Sequence, residues 1–371
     1  MVKKDNSYDP VCEVLYRLNV GSKMDIELLE LAFDRILLNS SSRKNDVQLS
    51  AILTGIMARG PKKEEIIALL KSVFKLDNFN PKERKKIKLP KGKILVGAIG
   101  SGKKGTKTMN ISTPALLTAA SLGAYTAKAV SHSTSSLTGS TDFLEGVGAK
   151  LNIPFDKMEK IILKTGFGAF KIEGLLPNFD SIYGQKFIAP HALSFGLAAL
   201  ASPIKYDTFL YGIAHPDVEL SLEVLRHFGV KNAMVVSTTH DGIHYLDEMG
   251  VYGKTKLIGV INGRVGKLKI WNPIKELNLP EYTPKHIGEG RDIRENIKLS
   301  LDVLKGKGDV AREDIIAINA GTILHLTRIT HGLKEGYEKS KKAIKEGLPY
   351  RKLMEFIKET GGDLNKLKEF E

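Results

Sequence analysis

A glycine-rich loop leading from a short apolar strand into a proline-started helix constrains this chain more than any other feature. Residues 96–142 read VGAIGSGKKGTKTMNISTPALLTAASLGAYTAKAVSHSTSSLTGSTD. Ile94, Leu95 and Val96 make the strand, and Gly97, Gly100, Gly102 and Gly105 make the loop. Asn110-Ile111-Ser112-Thr113 closes it, and Pro114 is expected at the first helical position with Thr113 as N-cap. Glycine lets the backbone approach a ligand closely, and unpaired N–H groups at a helix start point at negative oxygens, so this layout suits a phosphate. A second glycine and hydroxyl loop, residues 131–140, precedes a helical pattern starting near Thr141-Asp142. Two such loops point to a ligand with more than one phosphate. The first loop is not a Walker A motif, because no Gly-Lys-Ser/Thr follows its spacer. Gly100 to Gly105 matches the G-x-G-x-x-G string, but Ala and Leu stand where a dinucleotide site needs an acidic residue.

The chain has 371 residues, enough for a large core and two lobes. With 42% hydrophobic and 26% charged residues it reads as a soluble globular protein. The single cysteine, Cys12, excludes an intramolecular disulfide and fits a reducing interior; its apolar helical neighbours predict a buried thiol. The first ten residues are polar, and no apolar run approaches the ~20 residues that span a bilayer. The longest, residues 189–200, is interrupted by His191. A cytoplasmic protein without membrane partners is the expectation. The net charge of +14 suits an anionic partner, either nucleic acid or a polyphosphate, or else a solvated Lys/Glu-rich surface.

Residues 9–75 carry helical periodicity, with Asp9-Pro10, Asp25 and Asp46 at the starts of successive helices and Gly60 ending the third. Residues 80–93 (NPKERKKIKLPKGK) read as an exposed basic linker. Beyond it, strand-like and helical stretches alternate. Phe167–Phe170, residues 208–213 and residues 231–237 are strand-like, a helix covers 216–228, and residues 311–360 are helical. The alternation predicts a parallel α/β sheet, with ligands at the C-terminal ends of its strands. Residues 361–371 are expected to fray.

These residues resemble the anthranilate phosphoribosyltransferase family and, more loosely, the pyrimidine nucleoside phosphorylases that share its fold. The family's GTGGD loop is Gly100-Ser101-Gly102-Lys103-Lys104 here, and its Asn-Ile-Ser-Thr segment is intact at residues 110–113. The KHGNR segment keeps only its lysine, Lys128, with His132 at the arginine, and Ser135-Ser136 follow. Residues 138–142 match the Ser-Gly-Ser-x-Asp segment, and Asp247-Glu248 match the metal-binding pair, with about two residues inserted before them.

The resemblance implies a small N-terminal helical domain (1–79, completed by a crossover near 180–200), the linker 80–93, and an α/β phosphoribosyl-binding domain (94–371) with a mostly parallel central sheet flanked by helices. It implies that phosphoribosyl pyrophosphate is held by Gly100, Gly102, Lys103, Lys104, Thr108, Asn110, Ile111, Ser112, Thr113, Lys128, His132, Ser135, Ser136 and Ser140. It implies Mg²⁺ on Ser112, Asp247 and Glu248, and an acceptor facing Lys186 and His191, near which the family has arginines. A homodimer through the helical domain follows from the same likeness. The reaction implied is phosphoribosyl transfer with pyrophosphate leaving, carried by positioning and electrostatics without a dedicated general base. Two alternatives stand beside it: an altered member that binds nucleic acid through a basic surface, and a phosphorylase-like enzyme. A zinc cluster of His240, Asp241 and His244 is a further candidate, although the spacing lacks a remote third ligand.

Overall fold

The computed structural model describes residues 9–38, 42–133, 136–184 and 186–371. Four helices form the first lobe: α1 (Pro10–Asn19), α2 (Ile26–Leu38), α3 (Arg43–Arg59) and α4 (Lys63–Leu76). Asp9 caps α1 by accepting from Val11 N, and Asp25 caps α2 by accepting from Leu28 N. Ser42 caps α3, which therefore starts ahead of the expected Asp46, and Gly60 ends it at φ 92°. Val11, Val14, Leu29, Phe33, Leu49, Ile52, Ile66 and Leu69 turn inward and make the lobe's core. Cys12 lies on the other face of α1 and is exposed, contrary to the buried thiol expected, because Val11 and Val14 take the inward positions.

The basic stretch after α4 is partly docked rather than a free linker. It contains β1 (Lys85–Lys86); its Ile87 is buried, and Arg84 donates to the backbone oxygens of Pro81 and Ala199. The lysines face water while the one isoleucine anchors the segment. Next come β2 (Leu95–Gly100), α5 (Ser112–Ser121), β3 (Tyr125–Val130), α6 (Ser140–Gly146), α7 (Phe155–Thr165) and β4 (Phe167–Lys171). Helix α5 starts at Ser112 and α6 at Ser140, each ahead of the residues expected from Pro114 and Thr141. The crossover contains α8 (Pro177–Tyr183), a 3-10 turn (Ala192–Phe195) and α9 (Leu197–Leu200), and it packs against α3 and α4.

The chain continues through β5 (Ile204–Lys205, parallel to β1), β6 (Thr208–Gly212), α10 (Val218–His227), β7 (Ala233–Thr239), β8 (Tyr245–Leu246) and β9 (Lys254–Ile261). It then forms β10 (Arg264–Val265), β11 (Lys269–Trp271), α11 (Pro273–Leu277), α12 (Ile293–Leu304), α13 (Val310–Leu326), α14 (Leu333–Lys345) and α15 (Leu348–Thr360). The end does not fray. Residues Leu364–Phe370 form a 3-10 helix that buries Leu367 and Phe370, and Asp363 N donates to Gly148 O at 2.9 Å.

The main sheet runs β10-β9-β7-β6-β2-β3-β4. Its centre, β7-β6-β2-β3-β4, is parallel, and β8, β9, β10 and β11 add antiparallel pairings at one side. Central strands such as β2 and β6 are apolar and buried nearly end to end, as strands covered on both faces must be. From β2 the chain winds outward to β3 and β4, then returns to place β6 on the other side of β2. The winding reverses there, and a crevice opens at the C-terminal ends of β2 and β6.

Those two ends are Gly100 and Gly212, paired across the ladder. Neither has room for a side chain. A Cβ on Gly212 would lie 1.6 Å from Asp247 O, and one on Gly100 would lie 2.4 Å from Asp247 Oδ2. The two glycines thus make the gap through which Asp247 enters the crevice. Gly212→Ala should destabilise the fold by about 3 kcal/mol, the upper end for overpacking, because the obstacle is backbone. Denaturant unfolding measures this, and a loss under ~1 kcal/mol would contradict the packing described.

Candidate active site

The first glycine loop is organised by Asp247. Ser101 N donates to Gly212 O at 2.8 Å, continuing the ladder one residue past the strand. Gly102 and Lys103 both take positive φ, 70° and 57°, and Gly102 N donates to Asp247 Oδ2 at 2.8 Å. This N–H, expected to face a phosphate, is already held by the carboxylate. Gly105 N is likewise committed, to Tyr245 O at 3.0 Å. Thr108 is buried and its hydroxyl turns to Met109 O, so it is not the free donor expected. The start of α5 remains open. Ile111 caps it without a side-chain hydrogen bond, and the half-buried Ser112 and the buried Thr113 follow. Such a helix start is a natural anion site.

Beneath the loop lies a buried charge cluster. Asp247 and Glu248 are 3% and 7% exposed, and Lys128 on β3 is 6% exposed. Lys128 Nζ donates to Ser112 Oγ at 2.5 Å and to Ala98 O at 3.2 Å. It therefore points inward to the carboxylates, not outward to a phosphate as expected. Lys104 Nζ lies 3.9 Å from Asp247 Oδ1. Burial pushes the Lys128 ammonium down, against the pull of Glu248 and Asp247. Burial and then Asp247 push the Glu248 carboxyl up, against Lys104 and Lys128.

The second loop is also closed by a carboxylate. Asp142, early in α6, accepts from Ser133 N at 2.9 Å and Gly139 N at 2.7 Å, and its other oxygen meets His132 Nδ1 at 2.5 Å. The hydrogen bond that the ring donates to the Asp142 carboxylate holds the His132 imidazole above its ordinary value. His132 is thus paired with Asp142 instead of standing free for a phosphate. Ser140 Oγ accepts from Ser131 N, and Ser136 Oγ donates to Thr138 O. Ser135 lies outside the described residues. Asn110 ties the two loops together, accepting from Thr138 Oγ1 at 2.6 Å and donating to Gly139 O at 3.2 Å. Asn296 and Ser300 of α12 donate to Thr138 Oγ1 and Asn110 O.

Neither acceptor residue expected from the resemblance faces the crevice. Lys186 Nζ donates to Asp46 at 2.7 Å and fastens the crossover to α3. His191 is buried, bonded to the Tyr183 hydroxyl, and pushed down to about 3 by burial and by Lys103, so it stays neutral. Beside the first loop instead lies a cavity of about 450 Å³ walled by Phe179, Tyr183, Phe187, Leu193 and Leu197, with Lys103 in its lining. The Lys103 ammonium stands 5.0 Å from the centre of the Tyr183 ring, and burial pushes it down to about 8. Asp180 and Glu173 add oxygens to the same wall.

Ser112, Asp247 and Glu248 form a hard-oxygen set in chemistry but not in availability. Ser112 Oγ is taken by Lys128, and two ammonium groups already face the carboxylates. The three residues do not fit a divalent ion of their own as they stand. The zinc candidate does not assemble either. His244 Nδ1 bonds Asp241 at 2.7 Å and His240 Nε2 lies 3.7 Å from the same carboxylate, and among the described residues no group of three or more His, Cys, Asp or Glu is placed to hold a metal.

Asn319 of α13 matters beyond packing. Buried, it accepts from Met249 N at 3.1 Å and donates to Met249 O at 2.9 Å, fixing the residue that follows the acidic pair. Thr238 Oγ1 donates to Glu248 O at 2.8 Å. Nothing in sequence spacing joins positions 70 residues apart; an asparagine inside an otherwise apolar helix was the available signal.

A family model described as "Glycosyl transferase family, a/b domain" matches residues 92–350. An anthranilate phosphoribosyltransferase from Polynucleobacter necessarius is 32% identical over 265 residues, 71% of this chain and 75% of that protein. Another, from Nostoc, is 28% identical over 312 residues and 82% of each chain. Among solved structures, the anthranilate phosphoribosyltransferase of Thermus thermophilus superposes with a TM-score of 0.73 at 22% identity, over 95% of this chain and 100% of that one. The enzyme from Saccharomyces cerevisiae, in complex with PRPP and Mg, gives 0.73 at 20% identity, over 96% and 99%.

Removing the Asn319 amide leaves two buried backbone groups unpaired. Asn319→Ala should cost about 2 kcal/mol in denaturant unfolding. A variant as stable as the parent would contradict the role given to this clasp.

Proposed function

The chain belongs to the anthranilate phosphoribosyltransferase family of glycosyl transferases, and from that premise we propose that it moves the phosphoribosyl group of phosphoribosyl pyrophosphate onto the nitrogen of a small aromatic amine of the anthranilate type. One observation carries this reading. The loop at the β2–β6 reversal, which runs on into the open start of α5, lines an aromatic-walled cavity whose one lysine is Lys103. The donor's phosphates occupy the first place and the flat acceptor occupies the second.

In the reaction the bond from ribose C1 to the pyrophosphate oxygen breaks and a bond from C1 to the acceptor nitrogen forms, with a proton leaving the nitrogen. The chain positions the two reactants and meets the leaving charge with backbone N–H groups of α5 and with ammonium groups. Ser112, Asp247 and Glu248, the residues expected to hold Mg²⁺, face the ammonium groups of Lys128 and Lys104 and make no metal site of their own. The acceptor's carboxylate pairs with Lys103, the role that Lys186 and His191 were expected to fill. The comparisons support neither the nucleic-acid nor the phosphorylase alternative. No helix among the described residues is long and apolar enough to cross a membrane. A second copy would cover the apolar side chains that the helical lobe exposes, among them Tyr16, Val20, Leu31 and Leu38; sedimentation of the intact protein tests it.

The assay is pyrophosphate release from phosphoribosyl pyrophosphate on addition of anthranilate. Acceptor-dependent turnover supports the reading, and donor binding without turnover on any aromatic amine contradicts it. Lys103→Met should raise the acceptor KM about tenfold or more and leave the donor KM nearly unchanged. A lysine pushed down to about 8 is charged below that pH and neutral above it. The acceptor KM should therefore climb as pH rises through about 8 in the parent and stay flat in Lys103→Arg. A parent KM that is flat across this range would exclude the pairing.

A further inference from the structure

Four charged side chains meet in the floor of the crevice: Asp247 and Glu248 after β8, Lys104 from the loop after β2, and Lys128 from β3. Asp247 Oδ2 takes the Gly102 N–H. Asp247 Oδ1 is buried without a hydrogen-bond partner among the described residues, and the nearest cation to it is the Lys104 ammonium at 3.9 Å. Adjacent buried carboxylates need positive charge, and a hard divalent ion is one way to supply it. Here two ammonium groups face two carboxylates, so the cluster balances without a metal. Adding a divalent ion would leave an excess of buried positive charge or expel a lysine.

We propose that Lys104 is a built-in cation standing in for a divalent ion at Asp247, so that the Asp247–Glu248 pair binds no metal of its own and the donor's pyrophosphate group is met by the Lys104 ammonium. This rests on the donor site proposed above. Lys104 suits the role because it is a point charge on a long stem. At 3.9 Å it is paired with Asp247 but not locked to it by a hydrogen bond, and it sits on the loop that borders the donor space. Lys128 cannot take over, since its ammonium is spent on Ser112 Oγ and Ala98 O inside the cluster. Lys104 therefore stays beside Asp247 and turns its N–H donors to pyrophosphate, so the cluster keeps its balance when the donor binds.

The test uses the full chain and inorganic pyrophosphate. Calorimetry compares binding in EDTA with binding in excess Mg²⁺, for the parent, Lys104→Met and Lys104→Arg. Electron paramagnetic resonance measures Mn²⁺ bound in the absence of any anion. The parent should bind pyrophosphate in EDTA within about threefold of its affinity in Mg²⁺ and should bind no stoichiometric Mn²⁺. Lys104→Met should lose about tenfold or more in EDTA, recover most of it in Mg²⁺, and gain a Mn²⁺ site. Lys104→Arg should behave as the parent does, which separates charge from folding. A parent that binds pyrophosphate only with Mg²⁺, or takes up Mn²⁺ without anion, overturns the proposal and leaves the donor site standing. A parent that binds no pyrophosphate in either buffer overturns both.

Discussion

The carboxylate of Asp247 enters a gap that exists only because two neighbouring strands end in glycine. Gly100 and Gly212 face each other at the ends of β2 and β6, and a Cβ on either would collide with Asp247. Once inside, Asp247 takes the Gly102 N–H, turns the loop into its two consecutive positive-φ residues, and brings Lys104 near. The sheet's reversal, the loop's shape and the charge of the crevice all meet at this side chain. Asn319 and Thr238 hold its neighbours from behind, through the backbone of Met249 and Glu248.

Much of the architecture was legible in the amino-acid order. The caps Asp9 and Asp25, the proline and glycine punctuation, and the alternation of strand and helix after residue 94 gave the helical lobe and the parallel sheet. The intact Asn-Ile-Ser-Thr segment marked the start of α5. Helix α12 was not anticipated, yet its Asn296 and Ser300 hold the two loops together. Such bonds join residues more than 150 positions apart, and spacing along a chain carries no trace of them.

Less of the site was legible, and for one physical reason. A glycine loop shows that backbone N–H groups are available in principle, but not which acceptor takes them. Asp247 takes Gly102 N, and Asp142 takes Ser133 N and Gly139 N. The first of these three N–H groups is expected to face a phosphate, and the other two belong to the second glycine and hydroxyl loop. In the same way Lys128, Lys186 and His191 were judged by residue type, and each is committed to a protein partner. The cation in the aromatic cavity is Lys103, whose position in the family loop suggested a phosphate instead.

The measurement that bears most directly on this account is calorimetric titration of the intact protein with phosphoribosyl pyrophosphate in Mg²⁺, for the parent and for Asp247→Asn. The substitution keeps the shape of the side chain and removes the charge around which the loop is arranged. The account predicts saturable donor binding by the parent and a loss of about tenfold or more in the variant. Equal affinity in the two proteins would contradict the claim that Asp247 organises the donor site, and absence of binding by the parent would remove the site itself.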